Sequence, residues 1–467
     1  MKKRVMMACL VVTFFVLSAA SAAAVENGMI KVGLRYGSSA LDAANLENAV
    51  GEGYAFGYFD RSRQFVPLEE TGERTITMSP SGWGTIQVTV TGTDQVLYES
   101  DGDSLGVMPL GFGEEPVTWF KGYRYTGGFE YTLSGGGVQV VNVTDLENYV
   151  KGVVPYEMSG DWPLAALEAQ AVCARTYACR DSKHLGTYGF DVCSGTDCQV
   201  YNGVSLATAR SNQAVDNTAG LRLYYEGDLI QNAVYHSSNG GATEDAKNVW
   251  GTEKGYLKGK TDPYESKTSI PNYSWTVTYT ADELTWILDQ KLGSKERSIG
   301  QVQDVYISAL TPAGNVSAVT FVGSDGVKTV TGETCRTIFY SSTYGKSVKS
   351  QRFQINGQGG GGSGGLFVND PATPLASLDG AAVLSGSGVQ TTLRGEAASA
   401  ITSTGIVSVT AGGARTPSRS AGGSFTITGT GNGHNVGLSQ YGTKAMAELG
   451  YSYEEILQFY YTDVTIE

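Results

Sequence analysis

The first candidate for chemistry in this sequence is a single carboxyl group. Glu157 stands in the segment VPYEMSGDW, between two stretches of helical periodicity, with Tyr156, Met158 and Trp162 close by. Partial burial raises the pKa of a carboxyl group, which can then be protonated and act as a general acid. The alternative is a helix-flanking carboxylate that interacts with the positive N-terminal end of the next helix.

The predicted helix after this turn carries further polar candidates. Glu168 and Arg175 are seven residues apart, so they lie on one helix face, where they can pair with each other or bind a polar ligand. Gln170 lies on the same helix. We interpret Arg175 and Gln170 as candidates for substrate binding.

A second group consists of one histidine and two cysteines, His184, Cys193 and Cys198. Cysteine and histidine at such spacings can bind Zn²⁺, with His236, Asp197 or water in the fourth position. A Cys193–Cys198 disulfide, which an exported protein allows, or two free thiols are the alternatives.

Two glycine-framed segments hold the remaining candidates. In YHSSNGG, we interpret His236 as a substrate contact, a zinc ligand or a histidine whose hydrogen bonds are made within a turn. Ser237 is a further candidate for substrate binding. The serines have no G-x-S-x-G motif around them, which argues against a serine hydrolase. In GHNVGLSQYG, the residues His434, Gln440 and Tyr441 either line a binding groove or pack the terminal helices.

The elements that position these residues begin with a strand-rich region. From about residue 30 to 131 the chain alternates apolar and polar residues in short runs, such as TIQVTVTG, separated by glycine turns. Helical signals start at Thr144-x-x-Glu147, which has the pattern of a capping box. Gly152 and Pro155 predict the end of this helix before Glu157. For the second helix, the sequence predicts Asp161 as a possible N-cap.

The C-terminal part contains an interruption. GQGGGGSGG has the composition of a flexible linker, and the small-residue-rich stretch to about residue 423 predicts a small inserted β module or a partly ordered loop. Two short helices follow, and Ser452-x-x-Glu455 opens the second of them. Together these patterns predict an α+β fold.

The N-terminus and the charge bear on location and partners. Lys2, Lys3 and Arg4 precede an apolar run and then small residues with A-x-A sites, the order of a secretory signal over residues 1–24. The alternative is a retained membrane anchor, so contact with a membrane is expected only if this segment stays. The formal net charge of −13 argues against nucleic acid as a partner.

Four separated blocks resemble the stage II sporulation protein D and amidase enhancer family. They are LENYVKGVVPYEMSGDWPLAALEAQAVCARTYA, FDVCSGTDCQVYNG, YHSSNGGATEDAKNVWG and GHNVGLSQYGTKAMAELGYSYEEILQFYY, in this order. The resemblance covers roughly residues 131–354 and 425–467. It implies a mixed α/β catalytic domain at 131–355 and 424–467. The residue patterns predict the other parts, a signal peptide at 1–24, a β-rich N-terminal domain at 25–130 and an inserted module at 356–423, and the last two depart from the minimal plan of the family.

The resemblance also implies an activity. In that family the glutamate of the V-P-x-E-M block is regarded as the catalytic acid of a lytic transglycosylase that cuts peptidoglycan strands lacking stem peptides, and the matching position here is Glu157. Catalysis then needs no cofactor. Some members are thought to hold zinc at the cysteine block, where Asp197 replaces a histidine common among relatives.

Three functional hypotheses follow from this resemblance. The first is an exported or wall-associated lytic transglycosylase acting on glycan strands. The second is a non-enzymatic activator of a cell-wall amidase, and the third is a wall-binding module.

Overall fold

The structure is a computed structural model that describes residues 25, 28–111, 116–292, 298–356 and 423–467, with four short strands between residues 382 and 410. The predicted signal segment, residues 1–24, and the glycine-rich linker lie outside the described residues. The α+β fold class is confirmed, because helices and several sheets occur in one chain.

The N-terminal region is built from strands. In chain order they are β1 (Met29–Arg35), β2 (Ala44–Asn48), β3 (Gly53–Phe59), β4 (Phe65–Thr71), β5 (Thr75–Pro80), β6 (Ile86–Val90), β7 (Val96–Glu99), β8 (Ser104–Leu110), β9 (Thr118–Phe120), β10 (Tyr123–Tyr125), β11 (Gly128–Ser134) and β12 (Gly137–Asp145). Burial alternates along β2, as the period of two predicts for a strand with one face toward the core, whereas eight consecutive residues of β12 are buried.

Helices and short strands alternate in the middle of the chain. They are α1 (Leu146–Glu157), α2 (Leu164–Ala178), α3 (Leu185–Tyr188), β13 (Val192–Cys193), α4 (Ala209–Asn217), β14 (Leu223–Tyr225), β15 (Asp228–Leu229), β16 (Tyr235–His236), α5 (Ala246–Trp250), β17 (Ser274–Thr280), α6 (Ala281–Leu292), β18 (Val302–Leu310), β19 (Val316–Gly323), β20 (Val327–Thr331), α7 (Thr334–Thr337) and β21 (Phe353–Ile355).

The remaining elements include the four strands of the interrupting segment. They are β22 (Ala382–Leu384), β23 (Gln390–Thr392), β24 (Ala397–Thr402), β25 (Gly405–Thr410), β26 (Ser424–Thr430), β27 (Leu438–Ser439), α8 (Gln440–Glu448), α9 (Tyr453–Tyr460) and β28 (Thr465–Ile466). Strands β22 to β25 form two antiparallel hairpins.

Two large sheets share their core with the helices that carry the candidate site. A seven-stranded sheet has the order β13-β1-β12-β11-β8-β3-β4, and a six-stranded sheet has the order β10-β9-β2-β5-β6-β7. Their inner faces and the helices α1, α2, α8 and α9 contribute to one hydrophobic cluster. A second cluster lies among β17 to β21, β26 and α6.

The predicted boundary between residues 130 and 131 runs through strand β11. Strands from both sides of this boundary belong to the seven-stranded sheet. A buried ion pair strengthens this connection, since the Arg63 guanidinium donates to the carboxylate of Asp191 with an Nη2–Oδ1 distance of 2.9 Å. The division into two domains stays a prediction.

Helix α1 begins and ends elsewhere than the sequence predicts. The side chain of Asp145, not Thr144, is the N-cap, and it accepts from the backbone N–H groups of Glu147 and Asn148. The helix continues through Pro155, since burial against the core outweighs the hydrogen bond that proline cannot donate. The predicted end before Glu157 is therefore wrong, and Glu157 is the last helical residue.

The other predicted helix starts had mixed outcomes. Helix α2 has Pro163 at its N-cap, so the prediction of Asp161 is wrong. The capping box at Ser452 and Glu455 is confirmed, with both side chain to backbone hydrogen bonds present.

The chain positions on either side of the inserted segment, residues 356–423, are adjacent in the fold. In the antiparallel pair of β21 and β26, Ile355 lies opposite Ile427. The backbone N–H of Asn356 donates to the Thr426 carbonyl at 2.7 Å, and its side-chain oxygen accepts from the Thr426 N–H. The two ends are held together by the sheet itself.

We therefore expect the fold to tolerate removal of residues 358–421. Replacing them with four glycine or serine residues shortens the connection between Asn356 and Gly423 about elevenfold, which is worth about 2 kcal/mol of loop-closure entropy. Urea unfolding should show an equal or higher free energy of unfolding. A loss of more than about 1 kcal/mol would instead mean that the segment contributes stabilising contacts.

Within the described ranges, no helix combines the length and apolar character that crossing a bilayer requires.

Candidate active site

The carboxyl group of Glu157 is partly buried at the C-terminal end of α1. The Gln440 side chain donates from Nε2 to Glu157 Oε2 at 3.2 Å. Burial raises the pKa of Glu157 above its usual value, and hydrogen bonds from Gln440, Tyr235 and the Val200 backbone oppose this rise without cancelling it. The partial burial expected of a general acid at this position is present in the structure.

A chain of hydrogen bonds fixes the orientation of the phenol beside Glu157. The Tyr149 hydroxyl donates to Gln199 Oε1, and Gln199 Nε2 donates to the Tyr235 hydroxyl, each at 3.1 Å. Because the oxygen of Tyr235 accepts from Gln199, its proton is free to point at Glu157. Burial raises the pKa of Tyr235 well above the usual value of tyrosine, so the phenol remains a donor.

A parallel pairing of two very short strands joins two of the sequence blocks. In this pair of β16 and β27, Tyr235 lies opposite Leu438 and His236 lies opposite Ser439. Gly437 has a φ of +73°, and a Cβ there would lie 2.2 Å from the Val234 carbonyl oxygen. Only glycine fits this approach, which brings Gln440 to Glu157.

One buried carboxylate that the sequence analysis missed holds this region together. Glu265 accepts hydrogen bonds from the Ser238 hydroxyl at 2.9 Å, the Asn239 N–H at 2.6 Å and the Gly240 N–H at 2.9 Å. It also accepts from the hydroxyl of Ser439, the N-cap of α8. No motif surrounds Glu265, so only its position in the fold shows this role.

The two candidate histidines contact each other. His236 Nδ1 donates to the Val436 carbonyl at 3.1 Å, and its ring centre lies 5.3 Å from that of His434. The Trp250 ring packs on His434 at 5.1 Å. Burial lowers the pKa of His236 well below its usual value and that of His434 to about 4, so both rings are neutral near pH 7.

The other C-terminal candidates lie next to Gln440. The Tyr441 ring packs on that of Trp162 with 5.0 Å between centroids, and Lys444 Nζ lies 6.0 Å from the Trp162 ring. The backbone N–H of Tyr441 donates to the Ser237 carbonyl at 3.0 Å. Both aromatic rings are partly exposed, and Tyr441 directly follows Gln440, the partner of Glu157.

Two substrate-binding predictions on α2 are corrected by burial. Arg175 is fully buried and pairs with Glu147, with Nε–Oε1 at 2.8 Å and Nη2–Oε2 at 2.5 Å. Its predicted pairing with Glu168 is wrong, because the Glu168 carboxylate accepts from Asn217 instead. Gln170 is also fully buried, so neither it nor Arg175 is accessible to a polymeric ligand.

The predicted metal ligands do come together in space. One ligand atom each from His184, Cys193, Asp197 and Cys198 lies within 4.8 Å of all the others. Cys198 Sγ is 3.3 Å from His184 Nε2. His236 is not part of this cluster, so Asp197 is the protein group available for the fourth position.

Cys193 and Cys198 are both free thiols in the structure. A hydrogen bond from Cys198 lowers the pKa of Cys193 to about 5, with further help from the Gly195 backbone and the Tyr36 hydroxyl. The same contact raises the pKa of Cys198. Two sulfurs, an imidazole and a carboxylate at this spacing fit the tetrahedral coordination of Zn²⁺.

The metal-ligand cluster is joined to Glu157 by a short stretch of chain. Gln199 and Val200 directly follow Cys198, and both belong to the hydrogen-bond network of Glu157. On its other side the cluster is anchored through β13, whose Cys193 pairs in parallel with Gly33 of β1. The cluster therefore fixes the loop that presents Gln199 and Val200.

Comparison with known proteins shows the family of this chain. The stage II sporulation protein family matches residues 134–225. An uncharacterized protein of Brachyspira hyodysenteriae is 30% identical over 368 residues, which are 78% of each chain, and the amidase enhancer of Bacillus subtilis is 30% identical over 381 residues. The chain belongs to the stage II sporulation protein D and amidase enhancer family.

The lengths of the family members differ. The chain spans about half of the Bacillus subtilis amidase enhancer, since the match covers 78% of this chain and 47% of that protein. The stage II sporulation protein D of Bacillus amyloliquefaciens is 28% identical over 367 residues, which cover 73% of this chain and 83% of that family member.

Proposed function

We propose that the protein is a lytic transglycosylase that cuts the glycan strands of peptidoglycan, with Glu157 as its single acid and base. The observation that carries this proposal is the carboxyl of Glu157, whose burial raises its pKa while three hydrogen-bond donors surround it. Such a group is protonated more readily than an exposed glutamate, yet its carboxylate form is also stabilised.

The two halves of the reaction use these two forms in turn. Protonated Glu157 donates to the glycosidic oxygen, and the bond to the departing sugar breaks through an oxocarbenium-like state. The resulting carboxylate then takes the proton of the sugar's own C6 hydroxyl, whose oxygen closes an anhydro ring. Gln440 and Tyr235 stabilise the carboxylate between the two steps.

The groups around Glu157 fit a mechanism with one carboxyl group. In the described part of the chain, Glu157 accepts hydrogen bonds from an amide, a phenol and a backbone group. The partly exposed rings of Trp162 and Tyr441 offer a surface on which a sugar ring can pack.

The test is product analysis. Purified protein lacking residues 1–24 is incubated with peptidoglycan from which an amidase has removed the stem peptides, and the soluble fragments are analysed by mass spectrometry. We expect fragments with anhydro-sugar ends. Fragments with reducing ends only, or no fragments, would contradict the transglycosylase proposal.

A second candidate function rests on a relative's name. Because the chain is 30% identical to a protein named amidase enhancer, activation of a cell-wall amidase is the alternative. It predicts faster peptide release by the amidase when this protein is added, equally with wild type and with Glu157→Gln. For either function we propose a secreted or wall-associated location, with anchoring by an uncleaved N-terminal segment as the alternative.

We further propose that the four-residue ligand cluster holds a structural zinc ion. His184, Cys193, Asp197 and Cys198 would bind it, and its role would be to stabilise the loop that carries Gln199. Catalysis by Glu157 itself requires no metal.

Metal analysis tests this site. We expect about one zinc ion per chain in gently purified protein, and loss of most of it in Asp197→Ala because a ligand is removed. Asp228→Ala, which removes an exposed carboxylate in β15, is the matched control and should keep the metal. Wild-type protein without zinc, or a Cys193–Cys198 disulfide found by mass spectrometry, would contradict the zinc proposal.

A further inference from the structure

A cationic cleft lies outside the immediate surroundings of Glu157. Its volume is about 360 Å³, and its lining is formed by Lys291, Arg336, Thr337, Tyr340, Ser347, Val348, Lys349 and Asn432. Three of these residues are cations and none is acidic, in a chain whose formal net charge is −13. A local positive field in an acidic protein indicates a place for an anionic group.

The positive charge of this cleft is only partly neutralised. Arg336 Nη2 pairs with Glu333 Oε1 at 2.6 Å, but Arg336 Nε is buried and has no hydrogen-bond partner within the described residues. Lys291 Nζ donates to the Thr337 carbonyl. Over the described ranges, neither Lys291 nor Lys349 forms an ion pair with a carboxylate. An incoming carboxylate would meet two ammonium groups that have no carboxylate partner among the described residues.

An exposed aromatic ring stands at the rim of the same cleft. Tyr340 is 57% exposed, and Lys291 Nζ lies 5.6 Å from the centre of its ring. An aromatic face beside a cation suits a ligand with an apolar ring face and an acidic substituent. A sugar that carries a carboxylate has both features.

The same two chain segments, residues 235–238 and 432–440, contribute to the cleft and to the surroundings of Glu157. Asn432 at the cleft exchanges two backbone hydrogen bonds with Ser238, at 2.7 and 3.1 Å. Three residues before Ser238 is Tyr235, which contacts Glu157, and three residues of chain span at most about 11 Å. With about 5 Å more across the Ser238–Asn432 pair, the Cα atoms of Tyr235 and Asn432 are no more than about 16 Å apart, a distance that a strand of several sugars can span.

We propose that this cleft is a subsite for a carboxylate-bearing sugar of the glycan strand held at Glu157. The inference rests on the proposed function and names a feature of its substrate. In peptidoglycan the lactyl carboxylate of muramic acid is blocked as an amide by a stem peptide and becomes a free acid when that peptide is removed. Lys349 and Lys291 bind that acid, and the Tyr340 ring packs against the sugar.

The test measures binding in the absence of turnover. The background is Glu157→Gln, so the ligand stays intact whether or not the wild-type protein cuts it. The ligands are short glycan fragments without stem peptides, compared with the same fragments after conversion of their carboxylates to methylamides. Calorimetry should give about tenfold tighter binding of the free acids, because charge-assisted hydrogen bonds are lost in the amides.

Two further variants locate the source of this preference. Lys349→Gln should reduce the ratio of the affinities for acid and amide toward one, because the ammonium group that pairs with the free acid is lost. Its backbone carbonyl, which accepts from the Gly433 N–H at 2.8 Å, is kept. Lys121→Gln removes an exposed cation from the turn between β9 and β10 and should keep the ratio. The midpoint of thermal unfolding confirms that both variants fold.

Three results would overturn the subsite. They are equal affinities for acid and amide, no binding of either form, and stronger binding of a polyol phosphate polymer than of the stripped glycan. Because no cutting is required, a preference for the acid can persist even if the transglycosylase proposal fails. Conversely, anhydro products without this preference would remove the subsite alone.

Discussion

The substitution Glu157→Gln is expected to reduce the release of anhydro-sugar fragments at least about 100-fold, because general acid and base catalysis contributes a factor of this size or more. Glutamine keeps the shape of the side chain but can neither donate the proton to the glycosidic oxygen nor accept one from the C6 hydroxyl. Fragment release from stripped peptidoglycan, followed by mass spectrometry over time, measures the effect. Undiminished release in this variant would exclude Glu157 as the catalytic acid.

Glu168→Gln is the matched control for this substitution. It removes the same charge from α2, where the Glu168 carboxylate accepts only from Asn217 among the recorded contacts, and should leave fragment release nearly unchanged. Equal losses in both variants would indicate a general effect of charge on binding to the wall rather than a role in catalysis.

Glu157→Gln is also expected to change the stability of the folded protein, by an amount that depends on pH. Burial raises the pKa of Glu157 in the folded protein above the unfolded value near 4.5, so ionisation is less favourable in the folded state. Below pH 4.5 the carboxyl is protonated in both states, and wild type and Glu157→Gln should unfold at similar temperatures. Above the raised pKa the wild type bears the cost of a buried charge, so the variant should be the more stable one.

Replacing Arg175 by methionine is expected to lower the free energy of unfolding by about 3 kcal/mol, since it leaves Glu147 without its cation. The carbonyls of Val215 and Leu221 also lose a donor. The partial exposure of the Glu147 side chain, 26%, keeps the effect at the low end of the range for buried pairs. Urea unfolding measures the change.

The control for this substitution is Arg210→Met, which removes an exposed arginine near the start of α4 and should change stability by no more than about 0.5 kcal/mol. Fragment release per folded molecule should be normal in Arg175→Met, because Arg175 is buried away from any ligand. If Arg175→Met kept full stability but lost much of its affinity for glycan, Arg175 would have the substrate-binding role after all.

Local signals predicted those features that depend on neighbours in sequence. The capping box at Ser452 and the partial burial of Glu157 follow from short-range patterns of residue types. Arg175 and Glu168 share a helix face by spacing, but spacing does not show which face is buried. A buried guanidinium needs a carboxylate at its own depth, and α1 supplies it through Glu147.

The pairing of β16 with β27 could not be predicted from the sequence, for a different reason. Strands β16 and β27 are two residues long, and alternation of polar and apolar residues cannot be recognised over such a length. Their pairing joins residues about 200 positions apart and helps to bring Tyr235 and Gln440 to one carboxyl. The sequence offered Gln440 as a binding candidate but gave no indication of its partner.

This pairing of β16 with β27 has a consequence for the order of events during synthesis and export. A chain that has emerged only as far as β16 already contains Glu157 and Tyr235 but lacks the strand that carries Ser439 and Gln440 into place. In such a chain the carboxyl of Glu157 lacks its hydrogen bond from Gln440. Activity of the proposed kind therefore begins only after residues 438–440 have joined the fold, and a nascent or truncated chain is inert toward the wall.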